Sequence, residues 1–204
     1  MKQDFAVTVT ASDSVKWIPF GALVLLTLTA SVFWKIEKSR EQPLRPVEEV
    51  MAQQPPPSAM EGKPAPLFTL PALDGSAVNL ADYRGKMVFL NLWATWCAPC
   101  REEMPAMQRL ADKLKGVNFA MVTVSIDKKR EDVEKFVREL GLTFTVALDP
   151  DENVARMYQI TGVPETFLIS PDGVVMHHVI GPGEWDNPNI VAAFTRTAGG
   201  APLQ

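Results

Sequence analysis

Apolar and polar positions divide this chain into three regimes. From Ile18 to Trp34 there is no charge, and Leu, Val, Ala and Thr dominate. From Lys35 to Gly62 prolines recur among Glu, Gln, Arg and Ala without any apolar period. From Lys63 onward short apolar runs alternate with stretches whose apolar residues return every three or four positions. That alternation is the mark of strands interleaved with helices.

Within the third regime, Leu67 to Leu70 and Ala77 to Leu80 predict a short hairpin around Asp74-Gly75. Val88 to Trp93 and Phe119 to Ser125 are apolar runs predicted as core strands. Cys97 to Lys115 follows the first of them as a helix, with Pro105 expected to kink it. Asp132 to Leu140 places apolar residues at 133, 136, 137 and 140, a helical stripe closed by Gly141. Phe144 to Leu148 reads as a short or edge strand and Asn153 to Tyr158 as a short helix. Thr166 to Ile169 and Val174 to Ile180 flank a turn at Pro171-Asp172-Gly173, and Asn187 to Thr197 forms a closing helix. This order predicts an α/β class domain of three layers, α/β/α, with an N-terminal β-hairpin extension.

The uncharged run changes the picture. Ile18 to Trp34 spans about 26 Å as a helix, slightly short of a hydrocarbon core of about 30 Å. Trp17 and Phe33-Trp34 suit the two interfaces, and Lys16 and Lys35 bracket the run. A cleaved signal peptide would be shorter and end in small residues, whereas Thr29-Ala30-Ser31 is followed at once by Val32-Phe33-Trp34. The expected organisation is a tail at 1–17, a transmembrane anchor in the lipid bilayer at 18–34, and a Pro-rich tether at 35–62. A folded domain at 63–198 and a short tail at 199–204 complete it. Such a tether is a semi-rigid spacer. Lys35, Lys38, Arg40 and Arg45 outnumber Lys2 and Lys16, so the positive-inside count alone would leave the domain in the cytoplasm. The chemistry argues for a single-pass protein of the cytoplasmic membrane with its domain outside, in the periplasm. A net charge of −4 offers no electrostatic case for nucleic acid.

That chemistry resides in Trp96-Cys97-Ala98-Pro99-Cys100, which holds the only two cysteines of the chain. Two thiols at this spacing close a small ring when they sit at the start of a helix. The helix N-terminus also favours the thiolate of the first. Pro99 suits a first helical turn, where its missing N–H costs little. A strand, a turn, C-x-x-C and a helix together make a thioredoxin-type redox site. Zinc would need about four ligands, and only His177 and His178 remain as strong candidates. A purely structural bridge across so short a ring removes little chain entropy. Two soft thiolates would also suit Cu(I). Neither a cofactor nor a bound metal is expected.

Asn91-Leu92-Trp93-Ala94-Thr95-Trp96-Cys97-Ala98-Pro99-Cys100 and Gly162-Val163-Pro164-Glu165-Thr166-Phe167 resemble membrane-anchored thioredoxin-like proteins of the TlpA/ResA and CcmG/DsbE types. Gly62-Lys63-Pro64-Ala65-Pro66 and Asp149-Pro150-Asp151 share the resemblance, which covers about residues 62–185. It implies a thiol–disulfide oxidoreductase in which Cys97 attacks, Cys100 resolves and Pro164 is a cis-proline facing the disulfide. Trp96, Val163 and Pro164 would then meet the substrate, with Val163 offering backbone groups to an extended chain. Glu103 and Glu165 are the implied acids for proton transfer or tuning. Asn91 stands where cytoplasmic thioredoxins carry a buried aspartate, which puts weight on Glu103. His177 and His178 are expected on the surface of an edge strand. The implied partners are a substrate protein dithiol or disulfide, with apocytochrome c one candidate, and a membrane electron donor for re-reduction. Maturation of a copper site or Cu(I) binding is the alternative. A thiol peroxidase is the weaker rival, because Leu90 and Ala94 occupy the Pro and Thr positions of the peroxidatic P-x-x-x-[ST]-x-x-C.

Overall fold

A computed structural model describes residues 58–199. The expected anchor at 18–34, the tail before it, most of the tether and the last five residues lie outside the described residues. Among the described residues no helix is long and apolar enough to cross a membrane.

The chain runs β1 (Thr69–Pro71), β2 (Ala77–Asn79), a 3₁₀ turn (Leu80–Tyr83), β3 (Met87–Trp93), α1 (Ala98–Lys113), β4 (Phe119–Ser125) and α2 (Arg130–Leu140). It continues through β5 (Thr145–Leu148), α3 (Asn153–Met157), β6 (Glu165–Ile169), β7 (Val175–Ile180) and α4 (Pro188–Ala198). Each element predicted from Lys63 onward is present within a few residues of its expected ends; the 3₁₀ turn is additional. β1 and β2 form the expected hairpin, with Leu70 opposite Val78. Asp74 closes its turn by accepting hydrogen bonds from the Ser76 amide and hydroxyl at 2.9 and 2.7 Å.

The main sheet has the order β5-β4-β3-β6-β7. β3 pairs parallel with β4 and antiparallel with β6. All seven β3 residues are buried, as a central strand covered on both faces requires. Met87, Phe89 and Trp93 of β3 pack with α1, α2 and α4 in one core cluster, where Met104, Met107 and Leu110 of α1 are fully buried. The even-numbered β3 residues pack with the hairpin and α3 in a second cluster that reaches back to Met60. Each fully buried Leu or Met is worth about 1.5–3 kcal/mol, so this one face of α1 anchors the helix firmly. The helix runs unbroken through Pro105.

α3 is only five residues long and is held by its cap. The Asp149 carboxylate, 1% exposed, accepts from the amides of Asn153, Val154 and Ala155 at 2.9, 2.9 and 3.1 Å. Those are the orphan donors of a first helical turn. Tyr158 follows, and its hydroxyl donates to the Pro66 carbonyl at 2.9 Å. Burial pushes that hydroxyl above its usual range, so it stays a donor at any working pH.

Candidate functional site

The C-terminal ends of β3 and β4 build the site. Beyond β3, the Thr95 amide and hydroxyl donate to the Asp127 carboxylate at 2.9 and 2.7 Å, and the Ser125 hydroxyl donates to it at 2.7 Å. This buried acid clamps the turn that presents Trp96 and Cys97. Cys97 is the N-cap of α1, and its sulfur accepts from the Cys100 amide at 3.2 Å. The two cysteines are bridged, with Cα atoms 5.3 Å apart. Cys97 lies at the surface edge with 6% exposure, while Cys100 is fully buried. That asymmetry makes Cys97 the accessible sulfur, and the helix N-terminus stabilises it as a thiolate when the bridge opens.

The second wall comes from the loop before β6. Val163-Pro164 is a cis peptide, as the resemblance implied, and the Val163 carbonyl lies 3.4 Å from the Cys97 sulfur. Trp96, 69% exposed, flanks the other side. Between them a groove of about 300 Å³ is lined by Trp96, Ile126, Ile160 and Val163, with Glu152 and Arg156 at its rim. A larger cavity of about 560 Å³ beside α2 and β5 is lined by Leu73, Val137, Phe144 and Val146 and contains neither cysteine.

Glu103 sits one helical turn beyond Cys100 on the buried face of α1, at 3% exposure. Its Oε1 accepts from Asn91 Nδ2 at 3.1 Å, and its Oε2 accepts from the Gly183 amide at 3.0 Å and Trp185 Nε1 at 2.7 Å. Burial pushes its carboxyl above the usual carboxylate range, and the three hydrogen bonds pull only partly against that. Asn91 also donates to Thr166 Oγ1 at 2.9 Å, while its own Oδ1 has no partner among the described residues.

Glu165 lies on the opposite face of the sheet, fully buried. Its Oε1 accepts from the Thr161 amide, the Thr161 hydroxyl and the Gly162 amide at 2.7, 2.9 and 3.0 Å, and its Oε2 lies 2.6 Å from His178 Nε2. The two implied acids therefore occupy different environments: Glu103 beneath α1, Glu165 beneath the cis-proline loop. His177 is exposed on edge strand β7, as expected. His178 corrects the expectation. Its ring is buried, with a side chain 6% exposed, and stacks on Phe167 with centroids 4.0 Å apart. Asp127, Trp185 and His178 were missed from sequence; only Asp127 carried a signal, standing just past the C-terminal end of a parallel strand, where sites in such sheets gather.

Comparison with known proteins agrees with this geometry. Residues 62–178 match the AhpC/TSA family. The chain is similar to the thiol-disulfide oxidoreductase ResA of Bacillus subtilis (strain 168), 39% identical over 124 residues, or 61% of this chain and 69% of that protein. It is 40% identical over 120 residues to ResA of Bacillus anthracis, 59% of this chain and 69% of the relative. Among solved structures, a thiol:disulfide interchange protein DsbE from Chlorobium tepidum aligns with a TM-score of 0.64 at 36% identity, covering 70% of this chain and 100% of that one. StoA from Bacillus subtilis aligns with a TM-score of 0.53 at 27% identity, covering 58% and 90%.

Proposed function

Because the chain belongs to the AhpC/TSA family and is a thiol–disulfide oxidoreductase, we propose that it works as a membrane-tethered reductant of client disulfides outside the cytoplasm. The observation that carries the reading is the pairing of Cys97, 6% exposed at the N-cap of α1 and 3.4 Å from the Val163 carbonyl, with a fully buried Cys100. A client strand lies along Val163, with a side chain in the groove beside Trp96. The Cys97 thiolate attacks one sulfur of the client disulfide, and the other client sulfur leaves as a thiolate. Cys100, as its thiolate, then attacks Cys97 Sγ. The second client thiolate departs and the Cys97–Cys100 bridge closes. Two electrons pass to the client, and the two client thiolates take up two protons. We assign the relay of the Cys100 proton to Glu103, one helical turn further along α1.

A dithiol carrier in the membrane returns the enzyme to its reduced form. The uncharged run at 18–34 and the spacer after it support tethering, which raises the effective concentration of membrane partners. The heme-binding cysteine pair of an apocytochrome c is the client class we favour. Peroxide turnover does not suit the site, because Leu90 and Ala94 replace the peroxidatic Pro and Thr and both are fully buried. The reduction potential of the Cys97–Cys100 pair, measured on the full chain against a thiol buffer, tests the direction. A value near that of thioredoxin, about −270 mV, supports a reductant; one near −120 mV would make the protein an oxidant and overturn the reading.

A further inference from the structure

Glu165 and His178 are both buried, and neither takes part in the thiol exchange just described. Their geometry nevertheless leads straight to the reacting sulfur. Glu165 Oε1 gathers three donors, all from Thr161 and Gly162. That turn immediately precedes Val163, whose carbonyl lies 3.4 Å from Cys97 Sγ. Among the described residues the second carboxyl oxygen has a single partner, His178 Nε2 at 2.6 Å.

A buried carboxylate whose second oxygen lacked a donor would carry an uncompensated desolvation cost. Such a group lowers its energy by turning or by admitting water, and either move loosens the turn it holds. His178 prevents this. Its ring is fixed by the stack on Phe167, with planes 14° apart, and its backbone amide donates to Glu61 Oε1 at 2.8 Å. His178 Nδ1 is buried without a partner among the described residues. The tautomer with the proton on Nε2 strands only an acceptor there, whereas the other would strand a donor, so Nε2 is the nitrogen that donates.

We propose that His178 is a positioning residue of the redox site: through Glu165 it holds the Thr161-Gly162 turn and thereby sets the Val163 edge against Cys97. The proposal rests on the reading of the Val163 edge as the place where the client docks. His178 touches neither the cysteines nor the client, so the signal to look for is in docking and in the turn itself.

The test compares the full-length wild type with His178→Leu, which keeps bulk and loses the donor, and His178→Gln, which keeps an N–H. The probes are an oxidised Cys-x-x-Cys peptide for kinetics and amide hydrogen exchange at Thr161 and Gly162. His178→Leu should raise KM for the peptide and speed exchange of those two amides by about tenfold each, the scale of one hydrogen bond to a charged group, with kcat within about twofold. His178→Gln should restore most of both. If His178→Leu does not fold, His178→Asn, polar but too short to reach Glu165, is expected to behave as described for Leu. Unchanged protection of Thr161 and Gly162, or a Gln variant no better than Leu, would overturn the proposal. A wild type that fails to reduce the peptide would instead sink the docking reading, while exchange at the two amides still decides whether His178 holds the turn.

Discussion

Replacing Glu103 separates what its carboxyl does for stability from what it does for chemistry. Glu103→Ala strands the Gly183 amide and Trp185 Nε1, while Asn91 Nδ2 keeps Thr166 as an acceptor. The buried Trp185 Nε1 left without an acceptor costs about 1–3 kcal/mol, and the half-buried Gly183 amide less. Lost methylene packing adds about 1 kcal/mol, and relief of the buried charge offsets part of the total, leaving a net loss of about 2–4 kcal/mol. Glu103→Gln keeps an acceptor for Trp185 and Gly183. Its amide, however, faces Asn91 Nδ2, donor against donor; turning Asn91 lets Oδ1 accept but moves Nδ2 to a position without a partner among the described residues, so one buried donor goes unpaired at a cost of about 1–3 kcal/mol.

The pH dependence has a definite sign. Burial raises the folded carboxyl above its ordinary value, so the folded state holds that proton more tightly than the unfolded chain. The stability tied to it is fully present below the ordinary carboxyl range and is lost as pH rises through the raised value. Each pH unit of elevation amounts to about 1.4 kcal/mol. Urea denaturation of the oxidised full chain at a series of pH values reads both effects. Wild type should lose stability relative to Glu103→Gln from about pH 4.5 upward. A Glu103→Ala cost below about 1 kcal/mol, or parallel pH curves for wild type and Glu103→Gln, would refute this account. In stopped-flow reduction of a disulfide peptide, Glu103→Gln should slow resolution by about 10²-fold, the lower end for loss of a general base.

Cys100→Ala leaves Cys97 able to attack but unable to be released, so clients should accumulate as mixed disulfides separable on non-reducing gels; their absence from cells would count against the order of attack. Asp127→Ala removes the acceptor for Thr95 and Ser125, and a loss of about 2 kcal/mol is expected in urea, together with an altered rate of Cys97 alkylation in the reduced protein. Trp96→Ala alters a side chain that is 69% exposed, so stability should move by less than about 0.5 kcal/mol while KM for a disulfide peptide rises. An unchanged KM would remove Trp96 from the docking surface.

Much of the molecule was determined by local pattern. Val88 to Trp93 reads as a buried strand because a centre strand with helices on both faces needs no polar alternation, and all seven residues of β3 are buried. The stripe at 133, 136, 137 and 140 and the stop at Gly141 are properties of one helix, legible without its partners; Gly141 indeed adopts a left-handed φ of 62°. Cys97 and Cys100 were equally legible, because a three-residue spacing at a helix start leaves their geometry little freedom. What tertiary structure alone decided is which distant groups meet. Trp185 reaches Glu103 across 82 positions, a pairing fixed by the path of the chain into α4. His178 was read as an edge-strand surface residue, but the β6–β7 register sets it opposite Phe167, on the face that also holds Glu165. Side chains alternate with a period of two, so a slip of one residue would have turned His177 inward instead. Periodicity along a chain says which positions are buried; register and chain path choose their partners.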